Sequence, residues 1–357
     1  MKISYTLVGM TRGHASRALA VGSELINRGH DVRFYTNLDA YELLTKRFGF
    51  DCVYNIEMPK YIFKEGKICL FSTLLSNTKL VLDRDKYTKP ITDTFDESWT
   101  PDLTVSDFEP LAWWISKKYD IPHVTLDSQR FMISSEMPQR LPLVDNIQRL
   151  IAWVLLYCFS PKAELRIVSK QFAIPTSTAT EWYVGAITRS KVDNLKWEPA
   201  GRYFLVYIKD SLAPRLAEIQ KIAAEAGLTG RVYGIAPSFL DSYPNLEHGQ
   251  TCEHGFLETL STSEFVITTP GSQTLAETWS LGVPAYLLPE RNQFEQQINM
   301  HLAVQAEPKQ YAKFENENTL RETPLKGRKT KTCTSAGRIL AADLIESLYK
   351  EPAVQSH

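Results

Sequence analysis

Residues 3–35, ISYTLVGMTRGHASRALAVGSELINRGHDVRFY, decide the fold. Residues 3–8 form a β-favouring run. Ala15, Ala18, Leu19, Gly22, Leu25 and Ile26 then recur at the spacing of one helix face, and Gly29 supplies a stop before a second β run at 32–35. Strand, tight turn, helix and strand within about 35 residues make a βαβ unit, whose right-handed crossover requires a parallel sheet covered by helices. The fold class is therefore α/β. The alternation resumes with a strand at 103–106, a helix at 111–119 ended before Ile121-Pro122, and a strand at 123–126, which completes one doubly wound half.

A second half follows the segment 183–189, with the polar, Pro-containing stretch 190–202 as linker. Its expected elements are strands at 204–208, 231–235, 265–268 and 285–288, and helices at 216–226 and 273–280, the latter stopped by Gly282. At 357 residues the chain exceeds the size of one core, so two Rossmann-like domains are expected, at 1–188 and 189–334. A closing helix in 335–352 packs back on the first. Two such units enclose a cleft at the carboxyl ends of their strands, where open sheets bind ligands. Residues 55–99 give mixed signals and receive no assignment.

Composition narrows the function. With 43% apolar and 23% charged residues the chain is globular rather than disordered. A net charge of -1 leaves no global field to gather nucleic-acid phosphates or anionic lipid, so an anionic ligand must be held by local geometry. Cys52, Cys69, Cys158, Cys252 and Cys333 are odd in number and form no C-x-x-C pair, which reads as free thiols in a reducing compartment. The first five residues enter a strand without a signal-peptide core, so a cytoplasmic location is expected. The apolar run 150–159 is about half the roughly 20 residues that span a bilayer. It reads as a core helix, with peripheral contact at the inner face of a membrane as the second reading.

The sharpest chemical signal is Thr268-Thr269-Pro270-Gly271-Ser272-Gln273-Thr274-Leu275-Ala276-Glu277, an apolar strand running through a glycine turn into a helix. A helix N-terminus carries roughly half a positive charge and up to four unpaired donors, enough to hold a diphosphate without a metal. Ser272 and Thr274 add hydroxyls. Glu277, one turn on, suits a ribose diol, because a carboxylate accepts two hydroxyls. The plainer alternative makes Gly271 the turn and Ser272 with Glu277 a helix cap. Downstream, Pro289-Glu290-Arg291-Asn292-Gln293-Phe294-Glu295-Gln296 concentrates amides and carboxylates at a strand end, where Glu295 and Gln296 suit sugar hydroxyls.

In the first half, Gly9-Met10-Thr11-Arg12-Gly13-His14 fills the first strand-to-helix turn. It is not G-x-G-x-x-G, and the second strand ends in Thr36-Asn37 without the ribose-binding acid, which disfavours a dehydrogenase. A neutral His14 can take a proton from a hydroxyl, and Asp107, ending the strand 103–106, is its natural partner.

These blocks resemble nucleotide-sugar glycosyltransferases of the GT-B fold, close to families 1 and 28, the latter including the N-acetylglucosaminyltransferase that makes lipid II. Gly13-His14-Ala15-Ser16-Arg17-Ala18-Leu19-Ala20, continuing through Arg28-Gly29-His30-Asp31-Val32, is similar to the amino-terminal turn and helix of the family. Residues 265–299 are similar to its nucleotide-sugar block, and 101–122 to its acid-bearing strand, helix and following strand. The resemblance implies an acceptor-binding first domain and a donor-binding second one. It implies an inverting transfer from a nucleoside diphosphate sugar, usually a UDP-sugar, to a hydroxyl acceptor of unread identity, with no metal or other cofactor. His14 would be the base and Asp107 its partner. Gly271, Ser272, Gln273 and Thr274 would hold the diphosphate, Glu277 the ribose, and Glu295 with Gln296 the donor sugar. Phe256 lies in the segment whose backbone reads the base.

The sequence also departs from the pattern. Lys209-Asp210-Ser211 stands where the lipid II enzyme has a glycine-rich turn, and Met10-Thr11-Arg12 replaces smaller residues, so a lipid II-type acceptor is not expected. A 2-epimerase of the same fold would need an arginine and acid cluster of which Glu290-Arg291 is a fragment, and a silent nucleotide-sugar-binding protein is the third class. Asp83-Arg84-Asp85 and the basic run Lys326, Arg328, Lys329 and Lys331 read as solvated, and the histidines lack metal-ligand spacing.

Overall fold

The computed structural model describes residues 1–10, 12–60, 62–64, 67–136, 143–159, 162–172, 181–249, 253–291, 293–328 and 335–350. Thr11, Asn292, Lys329, Lys331, Cys252 and Cys333, singled out above, lie outside them. The chain divides into two compact units, Met1–Arg189 with Thr334–His357, and Ser190–Cys333.

The first unit opens with β1 (Lys2–Leu7), α1 (Arg12–Asn27), β2 (Asp31–Thr36), α2 (Leu38–Phe48) and β3 (Val53–Asn55). There follow the short ribbon β4 (Phe63–Lys64) and β5 (Lys67–Ile68) and three short helices, α3 (Leu70–Ser76), α4 (Thr78–Leu82) and α5 (Arg84–Thr92). The doubly wound pattern returns with β6 (Leu103–Asp107), α6 (Leu111–Tyr119), β7 (His123–Asp127), α7 (Phe131–Ser134), α8 (Leu143–Phe159), β8 (Leu165–Val168) and β9 (Glu181–Tyr183). The sheet order is β3-β2-β1-β6-β7-β8-β9, with parallel pairing throughout.

Parallel strands covered on both faces are buried along their whole length, as are all five residues of β6 and of β7. Helix α1 lies close on the sheet at Gly22, where a Cβ would come within 2.5 Å of the Phe34 ring. The unassigned stretch turns out to build a satellite core: Ile56, Met58, Leu80 and Ile91 pack with Tyr35 and with Leu111 and Ile115 of α6. Its helices are too short to show a hydrophobic period.

The second unit contains β10 (Tyr203–Tyr207), α9 (Leu216–Ala226), β11 (Thr229–Tyr233), β12 (Leu246–His248), α10 (Glu253–Thr262), β13 (Val266–Thr268), α11 (Ser272–Leu281), β14 (Ala285–Leu287), α12 (Phe294–Ala306), β15 (Tyr311–Lys313) and α13 (Thr319–Glu322). Its parallel sheet runs β12-β11-β10-β13-β14-β15. Helix α14 (Ser335–Lys350) belongs to the first unit, where Ala341, Ala342 and Ile345 join the core formed by β1 and α1. Arg28 and His30 fasten it through Asp343 and Glu346.

Two expectations change. The run 150–159 is not buried all round: Ala152, Leu155 and Leu156 are buried, whereas Leu150, Trp153 and Tyr157 are exposed. Arg328 is not solvated, because it donates to the Trp279 carbonyl (2.7 Å) and to Gln310 (3.1 Å). No described helix is long and apolar enough to cross a membrane.

Candidate active site

The first cluster forms where β1 and β6 end. Leu7 is in register with Asp107, and the Val8 N–H donates to the Asp107 carbonyl (3.2 Å). The turn that follows passes so near Asn37 that a Cβ on Gly9 would lie 1.9 Å from its carbonyl oxygen, so only glycine fits. His14 and Arg17, three residues apart on α1, share one helix face and are both buried.

His14 Nδ1 lies 2.8 Å from Asp107 Oδ1. Arg17 donates Nε to Oδ2 (2.9 Å) and Nη2 to Oδ1 (2.7 Å). Burial pushes the Asp107 carboxyl up, but Arg17 and then His14 outweigh it and hold the group below the usual carboxylate range. With the imidazole proton on Nδ1 and donated to Asp107, Nε2 carries the lone pair, and it has no hydrogen-bond partner among the described residues.

Phe108, next in chain, adopts φ 58, a left-handed conformation that costs a bulky residue roughly 1–3 kcal/mol. This sets its ring near-parallel to the imidazole, with centroids 6.1 Å apart. Glu109 is fully buried and accepts from the Leu111 and Ala112 N–H groups at the start of α6. Burial pushes its carboxyl up to about 8.

The second cluster lies at the ends of three adjacent parallel strands. Tyr207 of β10 pairs with Thr268 of β13, which pairs with Leu287 of β14. Helix α11 begins just beyond, with Gly271 at φ -72 and ψ 145 as its N-cap residue, which has no side chain of its own to cap with. The plainer reading of this turn needs correction. Any residue can adopt the Gly271 backbone, so glycine is not needed to make the turn, and a Cβ there would meet nothing within 4 Å. Gly271 rather than Ser272 is the N-cap residue, the Ser272 hydroxyl donates to Glu295 (3.1 Å), and buried Glu277 accepts from the Gln273 amide (2.9 Å). Thr274 is buried. Asn299 ties the turn to α12 by donating to the Pro270 carbonyl (2.8 Å).

Glu295 and Gln296 both lie in the first turn of α12, yet they face different partners. Gln296 donates to Glu290 Oε2 (2.9 Å) and accepts from the Glu290 N–H (2.8 Å). Glu290 also accepts from Ser211 (2.6 Å) and pairs with Lys209 (3.2 Å). Burial pushes its carboxyl up, but Ser211, Lys209 and Gln296 outweigh this and hold it below its usual range. The Lys209-Asp210-Ser211 departure thus delivers a cation and a hydroxyl to the acid beside Gln296. Phe256 sits in the first half of α10 with its ring edge-on to Tyr207 (5.4 Å) and Tyr233 (5.3 Å).

The model of glycosyl transferase family 1 matches residues 1–320. The chain belongs to that family.

An uncharacterized glycosyltransferase of Methanosarcina acetivorans is 22% identical over 322 residues, 84% of this chain and 82% of its own length. Among solved structures, the glycotransferase of kitacinnamycin superposes with a TM-score of 0.68 at 16% identity, over 97% of this chain and 98% of that one. Phytolacca americana UGT2, complexed with UDP-2fluoro-glucose and pterostilbene, gives 0.65 at 13% identity, over 98% and 99%. At such identities the likeness concerns the fold, which is of the GT-B type expected.

Within this glycosyltransferase, sequence reasoning missed Arg17 as a partner of the His14–Asp107 pair. Its spacing of three from His14 on an otherwise apolar helix face was the available signal. Glu290, read only as a fragment of an epimerase cluster, was missed as the hub joining Lys209, Ser211 and Gln296. The D-x-D side chains are solvated as expected: both acids are exposed, Asp83 accepting from the Lys86 N–H at the start of α5 and Asp85 pairing with Lys118. No group of three His, Cys, Asp or Glu with metal-binding geometry occurs among the described residues.

Proposed function

We propose that the chain transfers a sugar from a nucleoside diphosphate sugar, a UDP-sugar foremost, to an acceptor hydroxyl with inversion at the anomeric carbon. His14 removes the acceptor proton, Asp107 holds the imidazole, and the N-terminus of α11 stabilises the departing diphosphate. As the bond to the diphosphate stretches, an oxocarbenium-like centre forms and charge builds on the leaving oxygens. The fixed dipoles of α11 oppose that charge without reorganising. The acceptor hydroxyl becomes acidic as it attacks, and its proton passes to Nε2 of His14.

The observation that carries this reading is the His14–Asp107 contact of 2.8 Å, shorter than the 3.1 Å from Arg17 Nη2 to the same nitrogen: with the Nδ1 proton on the acceptor-only carboxylate, Nε2 is the proton acceptor. The glycine at the N-cap of α11, where a Cβ would meet nothing within 4 Å, supports the donor half. The complex of the plant relative with UDP-2fluoro-glucose supports a UDP-sugar. In this reading Glu277 takes the ribose, the α10 segment around Phe256 the base, and Glu295 and Gln296 the sugar once Gln296 turns from Glu290. Residues 1–188 carry the acceptor and 189–334 the donor.

Incubation of the full chain with a panel of UDP- and dTDP-sugars tests it. Slow release of free nucleoside diphosphate marks a transferase, whereas sugar isomerisation or thermal stabilisation without turnover would point to the epimerase or to a silent binder. Full transfer by His14→Ala, beside lost donor binding in Glu277→Ala, would overturn the base assignment and keep the donor site.

A further inference from the structure

We infer that Arg17 is a positioning residue that keeps His14 uncharged, by supplying the positive charge that the buried Asp107 carboxylate requires. The inference rests on the proposal that His14 is the base, and it concerns how a histidine against a carboxylate remains able to accept a proton.

Asp107 is completely buried, and a carboxylate in that setting persists only with a compensating charge. Two neighbours can provide one. Arg17 is permanently charged, because a guanidinium does not lose its proton in proteins. His14 would have to gain a proton, and an imidazolium cannot act as a base. The geometry favours Arg17: its fork engages both oxygens, whereas His14 reaches only Oδ1.

Arg17 and Asp107 together are neutral. Adding an imidazolium would leave an unbalanced positive charge in a cluster whose three members are all buried. It would also place that charge 3.1 Å from Arg17 Nη2.

Three other ionisable groups bear on the cluster, and below about pH 8 the acids among them are protonated or paired with a cation. Tyr5 on β1 is neutral, its phenol pushed well up by burial and by Asp107. Glu109, beyond β6, is pushed up to about 8. Asp127 at the end of β7 is pushed up by burial, accepts from the Arg130 N–H and has the Arg130 side chain at 3.9 Å.

The test is the pH dependence of donor turnover, between about pH 5 and about pH 9, in wild type, Arg17→Met and Arg17→Lys. In Arg17→Met, Asp107 draws its charge from His14. The acid limb of the kcat profile then moves up by about one pH unit, a loss of roughly tenfold on that limb, while KM for the donor stays unchanged. Arg17→Lys, which restores the charge without the fork, moves the limb back. A uniform loss at every pH with the limb unmoved overturns the inference, since that is what a purely structural arginine would give; so does an unchanged profile.

If Arg17→Met does not fold, the wild type still decides. Nitrogen-15 NMR of histidine-labelled protein at neutral pH should show His14 as neutral imidazole, and an imidazolium pattern overturns the inference. Full transfer by His14→Ala would instead strike the base assignment. An inactive His14→Ala beside an unmoved Arg17→Met profile removes only the role of Arg17.

Discussion

Under the proposed function, the ends of β1 and β6 in the first unit and of β10, β13 and β14 in the second solve opposite problems. The first buries an anion and a permanent cation and sets an imidazole against them. The second starts a helix at a glycine and surrounds that start with hydroxyls, amides and carboxylates bonded to one another, with Lys209 at the edge. Proton transfer needs a group whose protonation state is fixed before substrate arrives, which buried charge pairing provides. Holding a diphosphate and then releasing it needs attraction without a committed counter-charge, which backbone dipoles provide.

The strongest way to break this contrast is Asp107→Asn. The amide can donate to Nδ1 and so favour the tautomer with the proton on Nε2. Transfer should fall by roughly 10²–10⁴ while nucleoside diphosphate affinity, measured by calorimetry, stays constant. A matched loss of affinity would show that the two clusters do not divide the work.

Gly271→Val is the converse probe. The backbone tolerates it and its Cβ meets nothing, so thermal stability should change by less than about 0.5 kcal/mol. The added methyls occupy the approach to the helix end, and UDP affinity should fall roughly tenfold or more. Unchanged UDP affinity would remove α11 from the donor site.

Glu109→Gln sharpens the account of the first cluster. The folded state holds this carboxyl at about 8, above its ordinary 4.5, so between those values it binds a proton that the unfolded chain has lost. Its contribution is greatest in acid and fades as pH rises toward about 8. The glutamine variant should therefore gain relative to wild type in thermal melts at alkaline pH, by roughly 1–3 kcal/mol or several degrees. Equal pH dependence in the two proteins would show that Glu109 ionises freely.

His123 tests burial away from any proposed chemical role. Burial pushes its imidazole down to about 3, and Thr104 and Ser106 hold it between β6 and β7. As pH drops below about 6.5 the unfolded chain gains a proton that the folded state refuses, so stability should decline by up to about 1.4 kcal/mol per pH unit. Replacing His123 by Gln should flatten that slope in urea titrations between about pH 6 and about pH 4.

Much of this was legible in advance because it is local or periodic. The helices at 111–119 and 216–226 were read to their ends, since Pro122 and Gly227 punctuate them and their apolar faces repeat. The pairing of His14 with Asp107 followed from parallel strands whose carboxyl ends must lie together. What stayed hidden was competition for partners. Arg17 shares a helix face with His14, but only contact shows that it takes both oxygens of the same carboxylate. Gln296 was expected on a sugar and is held by Glu290, an acid six residues earlier, through a loop conformation that no spacing rule supplies.

The sequence by itself determined the α/β class, the parallel order of the strands around the first turn, and which residue types stand at the strand ends, because hydrophobic period and glycine placement act over a few residues. The tertiary structure alone decided which charge is matched with which, and which polar groups remain to meet a ligand. Pairing depends on the distance between side chains brought together from elements as far apart as α1 and β6, and a buried charge is stable only at such a distance.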